Sequence, residues 1–206
     1  SNWLIKNSNL KLIESYLLNN QTINDNPKLT RYLVDDYLSK SQVKKSCEIF
    51  SKINEIIEDE YLSKFKIYCL INNNKREEAQ LFLDLKKEMG FSDKSYEDKL
   101  DYLMGYSNKS SEKISESTVL DFHLSHRTNP EFKFVPRETT SKEIWKYLST
   151  SNLLDDIQAI ELTDVNKISI VEKATHEKNY TEKELFELYK RFQFNINQLL
   201  NIKEST

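Results

Sequence analysis

The sequence predicts an all-α protein, arranged as a right-handed α-solenoid of antiparallel helix hairpins. Three observations lead to this prediction. The 206 residues include only two glycines and three prolines, so little interrupts a helical chain. Apolar residues recur at helical spacing along most of its length, and one residue pattern returns at a fixed interval. The shortage of glycine also disfavours all-β folds, whose tight turns need residues at positive φ.

Helix start and stop signals locate the individual elements. Asn26 precedes a proline at the first helical position, where the missing N–H costs nothing. The segments Thr140–Glu143 and Thr181–Glu184 have the sequence of a capping box. Gly90 suits a left-handed helix end, with Phe91 as the accompanying hydrophobic contact. The predicted helices cover residues 9–19, 27–39, 42–53, 57–72, 75–88, 94–105, 117–126, 141–150, 164–178, 181–191 and 195–202.

A segment rich in Ser and Lys at residues 106–118 lacks these helical signals. We expect it to link a first block of helix hairpins at residues 1–105 to a second helical block at residues 119–206. The chain begins with Ser1 instead of Met, and no polar cap follows its last predicted helix. The sequence is therefore expected to be a piece of a longer solenoid.

A second interruption, at residues 127–139, contains two prolines around an alternating Glu-Phe-Lys-Phe-Val. Residues that precede proline favour extended backbone, so we expect an ordered extended segment that lies on the helices. Alternation places Phe132 and Phe134 on the same side of this segment. We expect these two rings to fill the seam between the two helical blocks.

The clearest periodic signal is an offset of 32 residues between neighbouring helix pairs. At this offset Cys47 aligns with Ala79, and the apolar residues that follow each of them also match. A small residue at a fixed helix position lets a partner helix approach closely. Helix pairs repeated at intervals of 20 to 50 residues are typical of α-solenoids.

The stretch from Leu70 to Phe82 resembles the tetratricopeptide repeat (TPR). It has a polar turn, the small residue Ala79 near the start of the second helix, and the aromatic Phe82 soon after. The family's Trp and Gly of the first helix and its terminal Pro are absent, and the family's period is 34. The resemblance covers about residues 1–92 and implies a concave surface for partner proteins. Taken whole, the chain looks like bacterial helical-repeat proteins without an established activity.

Charge and hydropathy argue against nucleic-acid binding and against a membrane-spanning helix. Thirty basic and 33 acidic residues give a net charge of −3, and no stretch concentrates cations. Nucleic acid is therefore not expected as a ligand, because phosphate binding needs clustered cations. No apolar run approaches 18 residues, so no membrane span is expected. We expect a soluble protein of the cytoplasm or periplasm, and the sequence does not decide between them.

Few residues suggest a metal site or a catalytic site. His123 and His126 are spaced i, i+3, whereas zinc helices generally place two histidines at i, i+4, so no metal or cofactor is predicted. Cys47 and Cys69 are expected to pack as small apolar side chains. A disulfide between them remains an alternative, which would need Cα atoms within about 7 Å.

The expected function is a non-catalytic scaffold for protein–protein interaction that binds a protein or peptide on its helical-repeat surface. The first helices should expose aromatic and basic residues to this partner, and the arginines near the extended segment suit an acidic peptide. The alternative is a helical domain of a larger enzyme, whose active site lies partly outside this sequence. The candidate contact residues are Tyr61, Lys64, Tyr68, His123, His126, Arg127 and Arg137.

Overall fold

The computed structural model describes residues 9–19, 23–51 and 56–192, which form ten α-helices and no β-strand. The all-α prediction is confirmed for these ranges. The predicted helix at 195–202 lies outside them. The helices are α1 (Leu10–Asn19), α2 (Pro27–Ser39), α3 (Val43–Glu48), α4 (Glu60–Asn72), α5 (Arg76–Glu88), α6 (Lys94–Met104), α7 (Val119–Thr128), α8 (Lys142–Thr150), α9 (Val165–His176) and α10 (Glu182–Tyr189), with a 3-10 turn at Ile157–Ala159.

The predicted helices match the observed ones closely, apart from α3, which is shorter than expected. The capping box of α10 forms as predicted, because Thr181 caps the amide of Glu184 and the Glu184 carboxylate accepts from the Thr181 amide. At α8 the predicted cap is wrong by one residue. Ser141 accepts from the backbone amide of Ile144, and the hydroxyl of Thr140 donates to Glu116 instead.

Six of the described helices end in the same left-handed turn, although only two of the six residues involved are glycine. In each turn the amide of the next residue donates to a carbonyl five positions back, as from Lys75 to Leu70 at 2.8 Å. This is the Schellman arrangement, which satisfies carbonyl groups at the helix end. A chain with two glycines thus makes sharp turns with Asn, Ser and Lys. The left-handed residues are Ser41, Asn74, Gly90, Gly105, Asn152 and Lys178.

The turns after α2 and α4 show how the two hairpins correspond. Their left-handed residues, Ser41 and Asn74, are 33 positions apart (74 − 41), so the predicted offset of 32 is one residue short at this turn. At an offset of 33 the fully buried Ala79 matches Ser46, which is also fully buried. Ser46 tolerates burial because its hydroxyl donates to the carbonyl of Val43 at 2.7 Å.

The same one-residue shift turns Cys47 toward α4, where it forms a disulfide with Cys69. The Cα atoms of the two residues are 5.2 Å apart, within the range that a disulfide requires. The expectation of two unpaired cysteines is therefore wrong. The disulfide joins the short helix α3 to α4.

Helix α4 is the centre of the largest core. It packs against α2, α3, α5 and α6, so that an unbroken run from Tyr61 to Cys69 is buried. Helix α2 also packs against α7 and α8, and Leu120 and Leu124 of α7 belong to the same core as α2 and α4. The largest core therefore includes residues from both sides of the linker expected at 106–118.

Phe132 and Phe134 lie on the same side of the extended segment, as the alternation predicts, and both contact the ring of Phe122, with centroids 5.5 and 4.9 Å away. They pack against α7 and α8 within the second block, so the expectation that they fill a seam between the two blocks is wrong. They complete a second core with residues of α8, including Ile144 and Leu148. Since α7 continues to Thr128, the segment begins two residues later than expected. Helices α9 and α10 enclose a third, smaller core around Ile168 and Leu188.

Candidate binding surfaces

The residues predicted to form an exposed inner face on α4 are buried. Tyr61 and Lys64 are each 8% exposed and Tyr68 is 2% exposed, so the expectation that they meet a partner at the surface is wrong. The reason is that α7 of the same chain lies against them. Among the predicted groove residues and histidines, Tyr68 and His123 contact each other.

An ion network around Lys64 joins α4 to α6 and α7. The ammonium group lies 2.9 Å from Asp93 Oδ2, 3.0 Å from Asp121 Oδ1 and 4.7 Å from the centre of the Tyr96 ring. Burial alone lowers the pKa of Lys64, but the two carboxylates outweigh it and raise that pKa above its ordinary value. Asp93 also accepts from the amide of Tyr96 and caps α6. The network fixes how three helices meet.

A second network runs through two histidines and two tyrosines. His123 Nε2 lies 2.6 Å from Tyr68 Oη, and His123 Nδ1 lies 2.8 Å from Tyr147 Oη. Tyr147 Oη lies equally close, at 2.8 Å, to Nδ1 of His126. The chain of hydrogen bonds thus leads from the interior at Tyr68 to the half-buried His126.

One arrangement of protons satisfies every group in this chain. The Tyr68 hydroxyl donates to His123 Nε2, His123 Nδ1–H donates to Tyr147, and Tyr147 donates to His126 Nδ1. The opposite direction would leave the hydroxyl proton of Tyr68 without an acceptor among the described residues. Both imidazoles are neutral in this arrangement.

The pKa of His123 is lowered to about 3, mainly by burial and to a smaller extent by the neighbouring Arg127 and His126. His126 shifts in the same direction for similar reasons. Since His123 is 3% exposed, its imidazole does not meet a substrate, and the enzyme alternative gains no support from it. Of the remaining predicted residues, Arg127 is exposed, and Arg137 is exposed and forms an ion pair with Glu116.

The outer face of α5 carries an apolar stripe that was not among the surfaces predicted from the sequence. Leu81, Leu85 and Met89 are 69%, 36% and 62% exposed. Their i, i+4, i+8 spacing aligns them along one side of the helix. Single exposed apolar residues are ordinary, but three in a row resemble the seam where a second helix packs.

Carboxylates border this stripe. Glu77, Asp84 and Glu88 lie beside it on the helical wheel, and Glu78 lies at its N-terminal end. Glu78 pairs with Lys75, and Asp84 accepts from Gln80, an uncharged side chain. The basic residues Lys86 and Lys87 of α5 point elsewhere, to the carbonyl of Ile57 and to Glu97. The stripe is therefore apolar with an acidic border. We call it the α5 stripe.

A cleft of about 440 Å³ opens between α2, the first turn of α4, the segment before α7 and the first turns of α8. We call it the α2–α8 cleft. Asp35 of α2 lies half-buried in its wall and accepts a hydrogen bond from the hydroxyl of Tyr61. Burial raises the pKa of Asp35 to about 6, against the lowering effect of Tyr61, and the charge of Glu143 adds to the increase.

Periodicity could have identified the α5 stripe, because Leu81 and Leu85 fall off the face defined by the buried Ala79 and Leu83. The α2–α8 cleft had no such signal, since its walls come from four separate stretches of chain. Within the described ranges, no three or more His, Cys, Asp or Glu side chains are placed to hold a metal. No helix in those ranges is long and apolar enough to cross a membrane.

Comparisons with known proteins identify no relative. No protein-family model matches the chain, and no curated protein or solved structure is significantly similar to it. Function must therefore be argued from the surfaces described above.

Proposed function

We propose that this chain is a non-catalytic scaffold for protein–protein interaction, built from TPR-like helix hairpins, which docks a helical segment of a partner on the α5 stripe. The single observation that carries this proposal is the row of exposed apolar side chains along α5. An apolar helix face that is left exposed favours packing against a second amphipathic helix. The hairpins α2–α3 and α4–α5 hold the stripe on a rigid support, because α4 is buried beneath it.

The helical-repeat interpretation rests on the two hairpins and their equivalent turns. Helix α4 packs against both α2 and α6, as first helices of consecutive repeats do in TPR-like solenoids. Where a solenoid would leave the inner faces of these helices open for a partner, this chain places its own α7. We therefore assign partner binding to the outer face of the hairpins.

The chemistry of the stripe defines the partner. Its acidic border favours a helix whose apolar face is flanked by Lys or Arg, because complementary charges guide encounter and orientation. Association should weaken as salt rises, since exposed charges are screened within about 8 Å at physiological ionic strength. An unpaired apolar face of this kind also permits a second copy of the chain to dock.

Photo-crosslinking tests the proposal in the full chain, expressed in the cells from which it comes. A photoreactive residue replaces Leu81, and a matched variant carries it at Val165, which is 72% exposed on a different helix. We expect a discrete adduct at position 81 that Leu85→Gln reduces about tenfold and that position 165 does not form. A tenfold change corresponds to about 1.4 kcal/mol, an ordinary contribution from one interface residue.

Two results would contradict the proposal. One is the absence of an adduct at position 81, and the other is an adduct that forms equally well at position 165. The size of the adduct distinguishes a foreign partner from a second copy of this chain.

A further inference from the structure

The α2–α8 cleft contains a carboxylate, Asp35, that forms no ion pair with any of the described residues. Asp35 has one hydrogen-bond donor, the hydroxyl of Tyr61, and no Lys or Arg nitrogen of the described residues lies within 4.0 Å of it. The nearest arginine of the cleft, Arg31, forms two hydrogen bonds with Asp59 instead, at 2.8 and 3.1 Å. A half-buried carboxylate without a counter-ion is costly, unless a cation from outside the chain approaches it.

The other charges of the cleft do not supply this counter-ion. Lys142 lies near Glu177 and Lys146 near Asp36, at 3.4 and 3.8 Å. Glu143, in the first turn of α8, is exposed and adds negative charge beside Asp35. The basic side chains that line the cleft thus lie near other carboxylates, and its lining contains four acidic and three basic residues.

The walls of the cleft suit an organic cation better than a metal ion. Tyr32 and Val119 give it aromatic and apolar surface, beside the Tyr61 ring, whose centre lies 5.3 Å from the Arg31 guanidinium. The cleft volume of about 440 Å³ exceeds what a single ion needs. Aromatic rings next to a carboxylate favour ammonium and guanidinium groups with carbon attached. Bare divalent cations instead require several oxygen ligands around one point.

We propose that the α2–α8 cleft binds an organic cation, a primary ammonium or a guanidinium, with the Asp35 carboxylate as its counter-ion. Tyr61 holds that carboxylate in place through its hydroxyl, and the carbon chain of the ligand lies against the aromatic wall. Two sources share this chemistry, namely a free polyamine and the Lys or Arg side chain of a polypeptide. The site is separate from the α5 stripe, so either proposal stands without the other.

Chemical-shift titration of the full chain, with its disulfide intact, tests the proposal at pH 7. The probes are 1,4-diaminobutane, Nα-acetyl-lysine methylamide and the neutral control 1,4-butanediol. We expect both cations, but not the diol, to shift amide signals of α2 and the first turn of α8. Tighter binding of the diamine indicates a free polyamine as ligand, and tighter binding of the lysine amide indicates a polypeptide side chain.

Two further readouts separate a built site from weak surface attraction. Asp35→Asn should weaken binding at least tenfold, whereas Asp98→Asn, on α6, should leave it unchanged. Binding should be about tenfold weaker at pH 5 than at pH 7, because the pKa of Asp35 is about 6 and only its ionised form attracts the ligand. The charges that face Asp35 in this range are those of Arg31 and Glu143, and Tyr61 stays neutral because burial raises its pKa.

Three outcomes would overturn the proposal: no binding of either cation, equal binding by the Asp35→Asn variant, or equal binding of the diol. Unfolding curves of the variant check that it is folded. Since the uncompensated charge of Asp35 costs stability at pH 7, the variant should be at least as stable as the wild-type chain.

Discussion

The buried His123 and the half-buried Asp35 should make the stability of this protein depend on pH in opposite directions. Both pKa values are displaced toward the neutral form of the side chain, in each case mainly by burial. The perturbation is a change from pH 7 to pH 4, applied to the wild-type chain and to the variants His123→Gln and Asp35→Asn. Each variant removes one of the two titrating groups.

For His123 the pKa is about 3 in the folded chain and roughly 6.5 in an unfolded one. Between these values the unfolded state binds one more proton, so the free energy of unfolding falls as the pH falls. The slope is about 1.4 kcal/mol per pH unit. From pH 7 to pH 4 this group alone removes about 3 kcal/mol of stability. In structural terms, protonating His123 would take away the acceptor of the Tyr68 hydroxyl.

For Asp35 the sign is reversed, because its pKa is about 6 in the folded chain and roughly 3.9 in an unfolded one. The folded state now binds more protons between these values. The stabilisation is fully present below the unfolded pKa and is lost as the pH rises through the folded pKa. Lowering the pH from 7 to 4 restores about 2 kcal/mol, so the two groups largely cancel in the wild-type chain.

Urea unfolding at pH 7, 6, 5 and 4 measures these contributions, with the disulfide kept oxidised. Relative to the wild type, the free energy of unfolding of His123→Gln should rise by about 3 kcal/mol from pH 7 to pH 4, and that of Asp35→Asn should fall by about 2 kcal/mol. Asp84→Asn, on the exposed face of α5, is the control, and its free energy of unfolding should change with pH as that of the wild type does. Differences that stay constant with pH for both test variants would refute the reasoning.

The remaining predictions concern the helix ends and the disulfide. Lys178→Gly should raise the free energy of unfolding by about 1 kcal/mol, because residue 178 has a left-handed backbone that glycine adopts without strain. Lys173→Gly, inside α9, should lower it by about 1 kcal/mol. Urea unfolding measures both changes, and a lower free energy of unfolding for Lys178→Gly would contradict the explanation. Reducing the Cys47–Cys69 bond, which closes a loop with a sequence separation of 22, should cost about 3 kcal/mol on the chain-entropy estimate. The stability of a Cys47→Ala/Cys69→Ala variant should not change when reductant is added. If reductant lowers the stability of the variant and of the wild-type chain equally, the disulfide is not the cause.

The local structure of this protein follows closely from its sequence. Helix starts and ends depend on residues that are neighbours in the chain, so the capping box at Thr181 and the left-handed end at Gly90 could be identified without a structure. The repeat offset is harder to predict, because Ser46 and Cys47 are adjacent and both are small. Only the packing shows that Ser46, and not Cys47, is the residue equivalent to Ala79. Aligning Cys47 with Ala79 instead predicts that Cys47 packs as an apolar residue, and the disulfide is then missed.

Contacts between distant segments could not be predicted in the same way. Lys64 and Asp121 are 57 residues apart, and in a chain of 31% charged residues many Lys–Asp pairs are equally plausible. The sequence therefore places both Tyr68 and His123 on a partner surface, although they contact each other in the fold. The cleft around Asp35 has the same origin, since its walls meet only after α7 and α8 have packed against α2.

For the proposed scaffold, the position of α7 also affects where a partner would bind. Asp121 and His123 provide the ion pair and hydrogen bond that the buried Lys64 and Tyr68 need, so the inner face of α4 is already satisfied. A peptide that displaced α7 would have to replace both interactions, because an unpaired buried charge costs several kcal/mol. Docking on the outer stripe of α5 carries no such cost, since Leu81 and Met89 are exposed and displace only water. For the proposed scaffold, the energetic balance therefore favours docking on the outer face of α5.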